Sequence, residues 1–146
     1  MDIPPINKQL GFMLYVASKE LIKKYTPILK KYNLTYTGYI VLVAIDKNEV
    51  INIKTLGDRL YLDSGTLTPL LKKLEEKGFV NRERAINDER NLRVSLTELG
   101  IETQGQILED IYQTFQDLNM DIDHFNELRD SVETFIQTNL NNDKDA

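Results

Sequence analysis

Between residues 63 and 93 the chain gathers side chains suited to holding a polyanion. Ser64, Thr66 and Thr68 are short hydroxyls, Gly65 and Pro69 lie among them, and Lys72 and Lys73 follow. Arg82, Arg84, Arg90 and Arg93 come next. Small hydroxyls near a helix start can approach base edges, and lysines suit phosphates. An arginine at a hairpin tip fits a minor groove, where negative potential is focused. Asp88, two residues before Arg90, can hold that guanidinium through a forked pair.

A second chemistry has to be weighed on the same residues. Asp63-Ser64-Gly65-Thr66 matches the Asp-Thr/Ser-Gly pattern of aspartic proteases, whose two close carboxylates a dimer could supply. That pattern sits on a loop in an all-β protein, whereas here it opens a leucine-striped segment. Pepstatin-sensitive proteolysis would revive this reading. The chain has no cysteine, which removes disulfides, thiolate metal sites and cysteine nucleophiles together. Its one histidine, His124, reads as a surface or cap residue, so no metal or cofactor is expected.

The elements that must position these side chains follow from hydrophobic spacing. Residues 7–31 read as a long helix with Leu10, Leu14, Ala17 and Leu21 on one stripe and Phe12, Tyr15, Val16 and Ile22 on another. A helix apolar on two sides must be covered on two sides, and a partner subunit is one candidate cover. Pro27 bends that helix or ends its first part. A very apolar helix follows over 36–47, and Val50 to Ile53 can pair briefly as a strand. Two short helices come next, about 53–60 and 64–77, the second striped by Leu67, Leu70, Leu71 and Leu74. Asp63 or Ser64 caps that second helix, Pro69 suits only its first turn, and Gly78 stops it. Residues 79–84 and 92–96 alternate as strands do, with Ala85 to Asn91 as the hairpin loop. Helices over about 97–118 and 121–140 complete the chain. The fold class is mainly α with a small β-hairpin: a winged helix-turn-helix with N- and C-terminal dimerisation helices.

At 146 residues one domain over 1–146 is expected, with 7–35 and 98–140 as dimerisation helices and 36–97 as the winged helix-turn-helix. The net charge of −5 is unevenly spread. Residues 1–52 carry seven lysines and four acids, 53–97 nine basic residues and seven acids, and 98–146 two basic residues and twelve acids. Phosphate binding is local, so a mildly basic centre is compatible with nucleic acid. The acids of the last third read as a solvated face. No membrane span and no signal peptide are evident, so a cytoplasmic location is expected.

Taken singly, each part has a plainer account. A leucine-striped helix packs, and arginines on a hairpin serve as a solvated surface. Their succession in this order favours a reader of double-stranded DNA. A winged-helix module that binds only protein stays open as the alternative.

The stretch Leu60-Tyr-Leu-Asp-Ser-Gly-Thr-Leu-Thr-Pro-Leu-Leu-Lys-Lys-Leu74, with Asp88-Glu-Arg90 and Ser95-Leu-Thr-Glu98, resembles the MarR family of transcription regulators. More narrowly it resembles that family's organic-hydroperoxide-sensing branch with OhrR, SarZ and MgrA. The likeness runs from about Leu10 to Gly100, and the last helix pair agrees in pattern only. It implies a homodimeric, sequence-specific DNA-binding regulator, a repressor in stress response and not an enzyme. Each subunit would place a recognition helix in the major groove and a wing in the minor groove of a pseudo-palindrome. Ser64, Gly65, Thr66, Thr68, Pro69 and Lys72 match the helix, and Asp88 and Arg90 the wing pair. Where that branch carries Gln-Leu-Cys-Phe with a peroxide-reactive cysteine, this chain has Gln9-Leu10-Gly11-Phe12. The tyrosines that bond that cysteine are matched by Tyr25 and Tyr36, with Tyr15 nearby. Peroxide sensing through a thiol is therefore excluded. Gly11, Tyr15, Tyr25 and Tyr36 form a candidate effector pocket. Three accounts of Gly11 stay open: a natural relative that binds a small molecule there, a regulator that needs no ligand, or an altered position.

Overall fold

The structure is a computed structural model describing residues 1–85 and 88–140, with side chains described for 1–84 and 92–140. The chain falls into two compact units, Met1–Thr114 and Phe115–Ala146, so its contacts thin inside the segment expected to form the C-terminal helix pair.

The first unit opens with a 3-10 turn, Ile6–Lys8, and then α1 (Leu10–Lys30). A helix is expected from residue 7, but Gln9 is extended (φ −81°, ψ 133°) and separates the two. Pro27 lies within α1 and does not end it. Only Ile28 and Leu29 of α1 are buried. Helix α2 (Tyr36–Ala44) is capped by Thr35, whose hydroxyl accepts the Gly38 N–H at 3.1 Å. It ends three residues before the expected 47, because Ile45 leaves the helical region at φ −92°, ψ 121°. Val41, Leu42 and Ile45 are fully buried and form the centre of the core.

Strand β1 (Ile51–Asn52) leads directly into α3 (Ile53–Leu60), and α4 (Ser64–Glu76) follows after three residues. Strands β2 (Val80–Ala85) and β3 (Asp88–Leu96) form the hairpin, and the antiparallel sheet has the order β1-β3-β2. The register pairs Ile51 with Val94, Val80 with Leu96 and Arg82 with Val94. Val80 and Val94 face the core. β3 is longer than the expected 92–96 and takes in part of the expected loop, with an irregularity at Arg84/Ala85. A polar run such as Asp88 to Asn91 offers no apolar alternation to read, although it lies within β3 and Asp88 pairs with Ala85.

Helix α5 (Glu98–Phe115) buries Ile107 and Ile111 and stops before the expected Leu118. Gln104 ties it to α2 by donating from Nε2 to the carbonyls of Leu42 (3.0 Å) and Ile45 (2.9 Å). In the second unit, α6 (Ile122–Asn139) is capped by Asp121, whose carboxylate accepts the His124 N–H at 2.9 Å. His124 is thus a first-turn residue paired with its cap, Nδ1 to Asp121 Oδ2 at 2.8 Å. No residue of α6 is buried.

Candidate nucleic-acid interface

The two helices of the candidate reader are each fixed at their ends. Asn52 Oδ1 accepts the Thr55 N–H at 2.8 Å and starts α3. Tyr61 ends α3 in the left-handed region (φ 56°), and the Leu62 N–H returns to the Gly57 carbonyl at 2.9 Å. A Cβ on Gly57 would lie 2.5 Å from the Leu62 carbonyl oxygen, so this turn needs glycine there. Asp63 then starts α4, its Oδ1 accepting the Thr66 N–H at 2.7 Å. That bond, with the Thr66 hydroxyl, holds the Asp63 carboxyl below its ordinary range. The carboxylate that could have suggested protease chemistry is therefore an N-cap, an element that satisfies orphan helix donors.

Helix α4 has two unlike faces. Leu67, Leu71 and Leu74 are at most 1% exposed, and each contributes about 1.5–3 kcal/mol of burial free energy. Ser64, Gly65, Thr66, Thr68, Pro69, Lys72 and Lys73 are all exposed. The Thr68 hydroxyl donates to the Ser64 carbonyl at 2.7 Å and keeps its lone pairs as acceptors. Pro69 sits in the second turn of α4, one turn later than expected, and supplies no N–H to the Gly65 carbonyl.

The hairpin divides its arginines between two tasks. Arg82 is partly buried and donates from Nη2 to Glu75 Oε1 at 3.0 Å, while its backbone N–H donates to Glu75 Oε2 at 3.2 Å. Its guanidinium holds the hairpin to the end of α4. Arg84 and Arg93 are exposed. The side chains of Asp88 and Arg90 lie outside the described residues.

Four further contacts position this region, and none has a local sequence signal. Arg59 on α3 grips Glu49 in a fork (2.7 and 2.9 Å) and the Ala44 carbonyl at 2.6 Å. Its guanidinium holds Glu49 below the usual carboxylate range. Thr97 takes its N–H to the Phe79 carbonyl (3.0 Å) and its hydroxyl to the Gly78 carbonyl (2.6 Å), closing the strand-to-α5 corner. Gln104 reaches α2 as described above. Tyr32 donates to Asp110 at 2.6 Å, which pushes the phenol up to about 12. Partners up to 78 positions apart leave no pattern in a sequence window.

Only half of the expected effector pocket comes together within one chain. Tyr25 and Tyr36 meet edge to face at 5.0 Å, and Tyr39, which was not expected, joins them at 5.5 and 5.8 Å. Burial, with the neighbouring phenols, pushes Tyr25 up to about 12. Gly11 lies fourteen positions before Tyr25 on the same helix, about 21 Å along its axis. Tyr15 is exposed beneath the Lys19 ammonium, 5.5 Å from the ring centre. The four residues therefore do not line one pocket within the single chain.

The chain matches the sequence profile of a family described as transcriptional regulator SarA/Rot over residues 23–111, more than half its length. It is 54% identical over 136 residues to the HTH-type transcriptional regulator SarZ of Staphylococcus epidermidis, covering 92% of this chain and 91% of that one. Among solved structures it is similar to reduced AbfR bound to DNA, at 33% identity and a TM-score of 0.79, covering 91% of each chain. It also shares the fold of an E. coli MarR variant solved with operator DNA, at 24% identity and a TM-score of 0.80, covering 93% of this chain and 99% of that one. Among the described residues no helix is long and apolar enough to cross a membrane.

Proposed function

We infer, from the premise that this chain belongs to the SarA/Rot family of transcriptional regulators, that it is a DNA-binding transcription regulator, not an enzyme, whose reader is α4 with the β2–β3 hairpin. The observation that carries the assignment is the two-faced α4: three buried leucines seat it, and Ser64, Thr66, Thr68, Lys72 and Lys73 stand on the exposed side. Exposed hydroxyls suit base edges, and lysines suit phosphates. Arg84 extends the same chemistry to the wing, with Arg90 and Asp88 as the pair at its tip. Arg82 serves by holding the wing to Glu75.

The finer parts of the reading are a homodimer, a pseudo-palindromic site, repression and a small-molecule effector. Self-association is supported by the apolar side chains left exposed on α1, α5 and α6, among them Leu10, Phe12, Leu108, Phe125 and Leu128. Large apolar side chains left exposed on several helices suit an interaction face. Two copies would place two readers on related half-sites. The effector would enter beside Tyr25 and Tyr36 and the partner's first helix. A regulator of transcription works where the chromosome is, which supports a cytoplasmic location.

Selection from a pool of random duplexes, followed by anisotropy titration of the enriched sequence, tests the reader. Affinity should fall steeply between about 50 and 200 mM salt, because phosphate contacts release counterions. Replacing Lys72 and Arg84 by alanine together should weaken binding about tenfold or more and lessen the salt dependence. Enrichment of no duplex, or an unchanged double variant, would overturn the reading in favour of a protein-binding module.

A further inference from the structure

A cavity of about 390 Å³ opens between the α1–α2 corner and the C-terminal half of α4. Lys30 of α1 and Lys73 and Lys77 at the end of α4 edge it, and no carboxylate is among its lining residues. Its floor is apolar, with Leu34 and Leu74 buried and Leu70 half-buried. Lys77 Nζ donates to the Asn33 carbonyl, an uncharged acceptor that fixes the ammonium without neutralising it. Two of its three donors remain for another partner.

The start of α2 opens on the same cavity through Thr35 and Gly38. The Thr35 hydroxyl satisfies the Gly38 N–H, which leaves the Tyr36 and Thr37 N–H groups with no helical acceptor. Gly38 carries no side chain to cover them. The negative ends of α1 and α4 offset part of the charge of Lys30 and Lys73, and the net positive field of three ammoniums and the start of α2 favours a doubly charged group over a singly charged one. The volume is that of a small-molecule site, and the leucine floor suits an organic body.

We propose that this cavity binds a small phosphomonoester, its phosphate between Lys30, Lys73 and Lys77 at the start of α2 and its apolar body on Leu34, Leu70 and Leu74. Lys73 also belongs to the exposed face of α4. An occupant therefore competes with DNA for that charge, a consequence that rests on the DNA-reader assignment above. The site differs from the expected pocket at Tyr25 and Tyr36, whose rings do not line it.

Titration of the 15N-labelled full chain with phenyl phosphate, in the absence of DNA, tests the binding. Saturable shifts are expected in the amides of residues 35–38 and 70–77. Phenol should leave these amides unmoved, and inorganic phosphate should move them with weaker affinity. The double variant Lys30→Gln with Lys73→Gln, both exposed positions, should bind phenyl phosphate about tenfold or more weakly. Non-saturating shifts scattered over other surface lysines, or undiminished affinity in the double variant, would overturn the site. Shifts of the same amides by duplex but not by phenyl phosphate would reassign the cavity to the DNA backbone and equally overturn it. Competition is read separately: saturating phenyl phosphate should raise the duplex Kd of the wild type several-fold, and an unmoved Kd overturns the coupling. Were no duplex bound at all, the titration would still decide the site.

Discussion

Glu75 in the last turn of α4 binds Arg82 of β2 twice, through the guanidinium at 3.0 Å and the backbone N–H at 3.2 Å. Helix α4 and the β2–β3 hairpin are thereby joined by one carboxylate. The side chains are 38% and 21% exposed, so solvent screens part of the attraction. Glu75→Ala should cost about 1 kcal/mol of stability, read by urea denaturation. It should also speed hydrogen exchange at the Arg82 amide and weaken DNA binding while leaving α4 intact. Unchanged exchange at Arg82 would sink the idea that Glu75 anchors the wing.

The same pair makes a pH prediction. Arg82 holds Glu75 below its ordinary value of 4.5, and Arg59 does the same for Glu49. A carboxylate lowered in the folded state contributes stability that is fully present above its unfolded value and lost as pH falls through the folded one. Between about pH 6 and pH 9 these two carboxylates should leave stability flat, and it should decline below about pH 4.5. Glu75→Gln and Glu49→Gln should each flatten part of that decline in denaturation curves taken at successive pH values. A decline of wild-type size in both variants would place the acid sensitivity elsewhere.

Legibility in the sequence followed the range of the interaction. The Leu67, Leu70, Leu71 and Leu74 stripe recurs at helical spacing, so α4 and its exposed face are readable from the sequence. A cap at Asp63 or Ser64 is readable because a cap acts over three residues, and the fold assigns it to Asp63. The commitment of Arg82 to Glu75 was not readable, since an arginine on an alternating strand looks the same whether it faces a phosphate or a carboxylate. Tyr32 and Asp110 meet across 78 positions, and only the tertiary fold brings them together. Tyr39 belongs to the very apolar helix expected over 36–47, and its place beside Tyr25 and Tyr36 depends on how α1 crosses α2.

Asp63 determines where α4 begins. Its Oδ1 accepts the Thr66 N–H, and Thr66 belongs to the face assigned to DNA. Asp63→Ala should lower the melting temperature and weaken DNA binding by fraying the first turn that carries Ser64 and Thr66. Asp63→Asn keeps an acceptor oxygen and should restore most of both. If Asp63→Asn bound DNA as poorly as Asp63→Ala, the carboxylate would have a role beyond capping.

The exposed apolar side chains of α1 and α6 predict the oligomeric state. Leu10 is 54% exposed and Leu128 54% exposed in the single chain. If both are covered by a second copy, Leu128→Asp removes about 1 kcal/mol of burial per subunit, since roughly half of the side chain is already covered in the single chain, and the added charge increases the loss. Over two copies the dimer dissociation constant should rise about thirtyfold or more. Sedimentation equilibrium should show a wild-type dimer and a monomer-shifted variant with native helix content. A monomeric wild type would remove the two-half-site reading.

Gly11 sharpens the question of what the regulator senses. A Cβ built there meets nothing within 4 Å, so packing in the single chain does not require glycine. Gly11→Ala should therefore stabilise the chain by about 0.5 kcal/mol through backbone entropy, the lower part of the usual range because Gly11 lies in the first turn. With no thiol in the chain, organic hydroperoxide should leave wild-type DNA affinity unchanged. Gly11→Cys places a thiol where the resembled branch carries its reactive one, and Tyr25 and Tyr36 are retained. In a dimer that brings the partner's tyrosines to that position, this variant should lose DNA affinity on hydroperoxide addition and recover it with dithiothreitol. Both arms are read by the same anisotropy assay. A peroxide-responsive wild type would shift sensing to an oxidisable side chain such as Met13, which is 46% exposed. An unresponsive Gly11→Cys would mean that the tyrosine cluster no longer supports thiol chemistry at all.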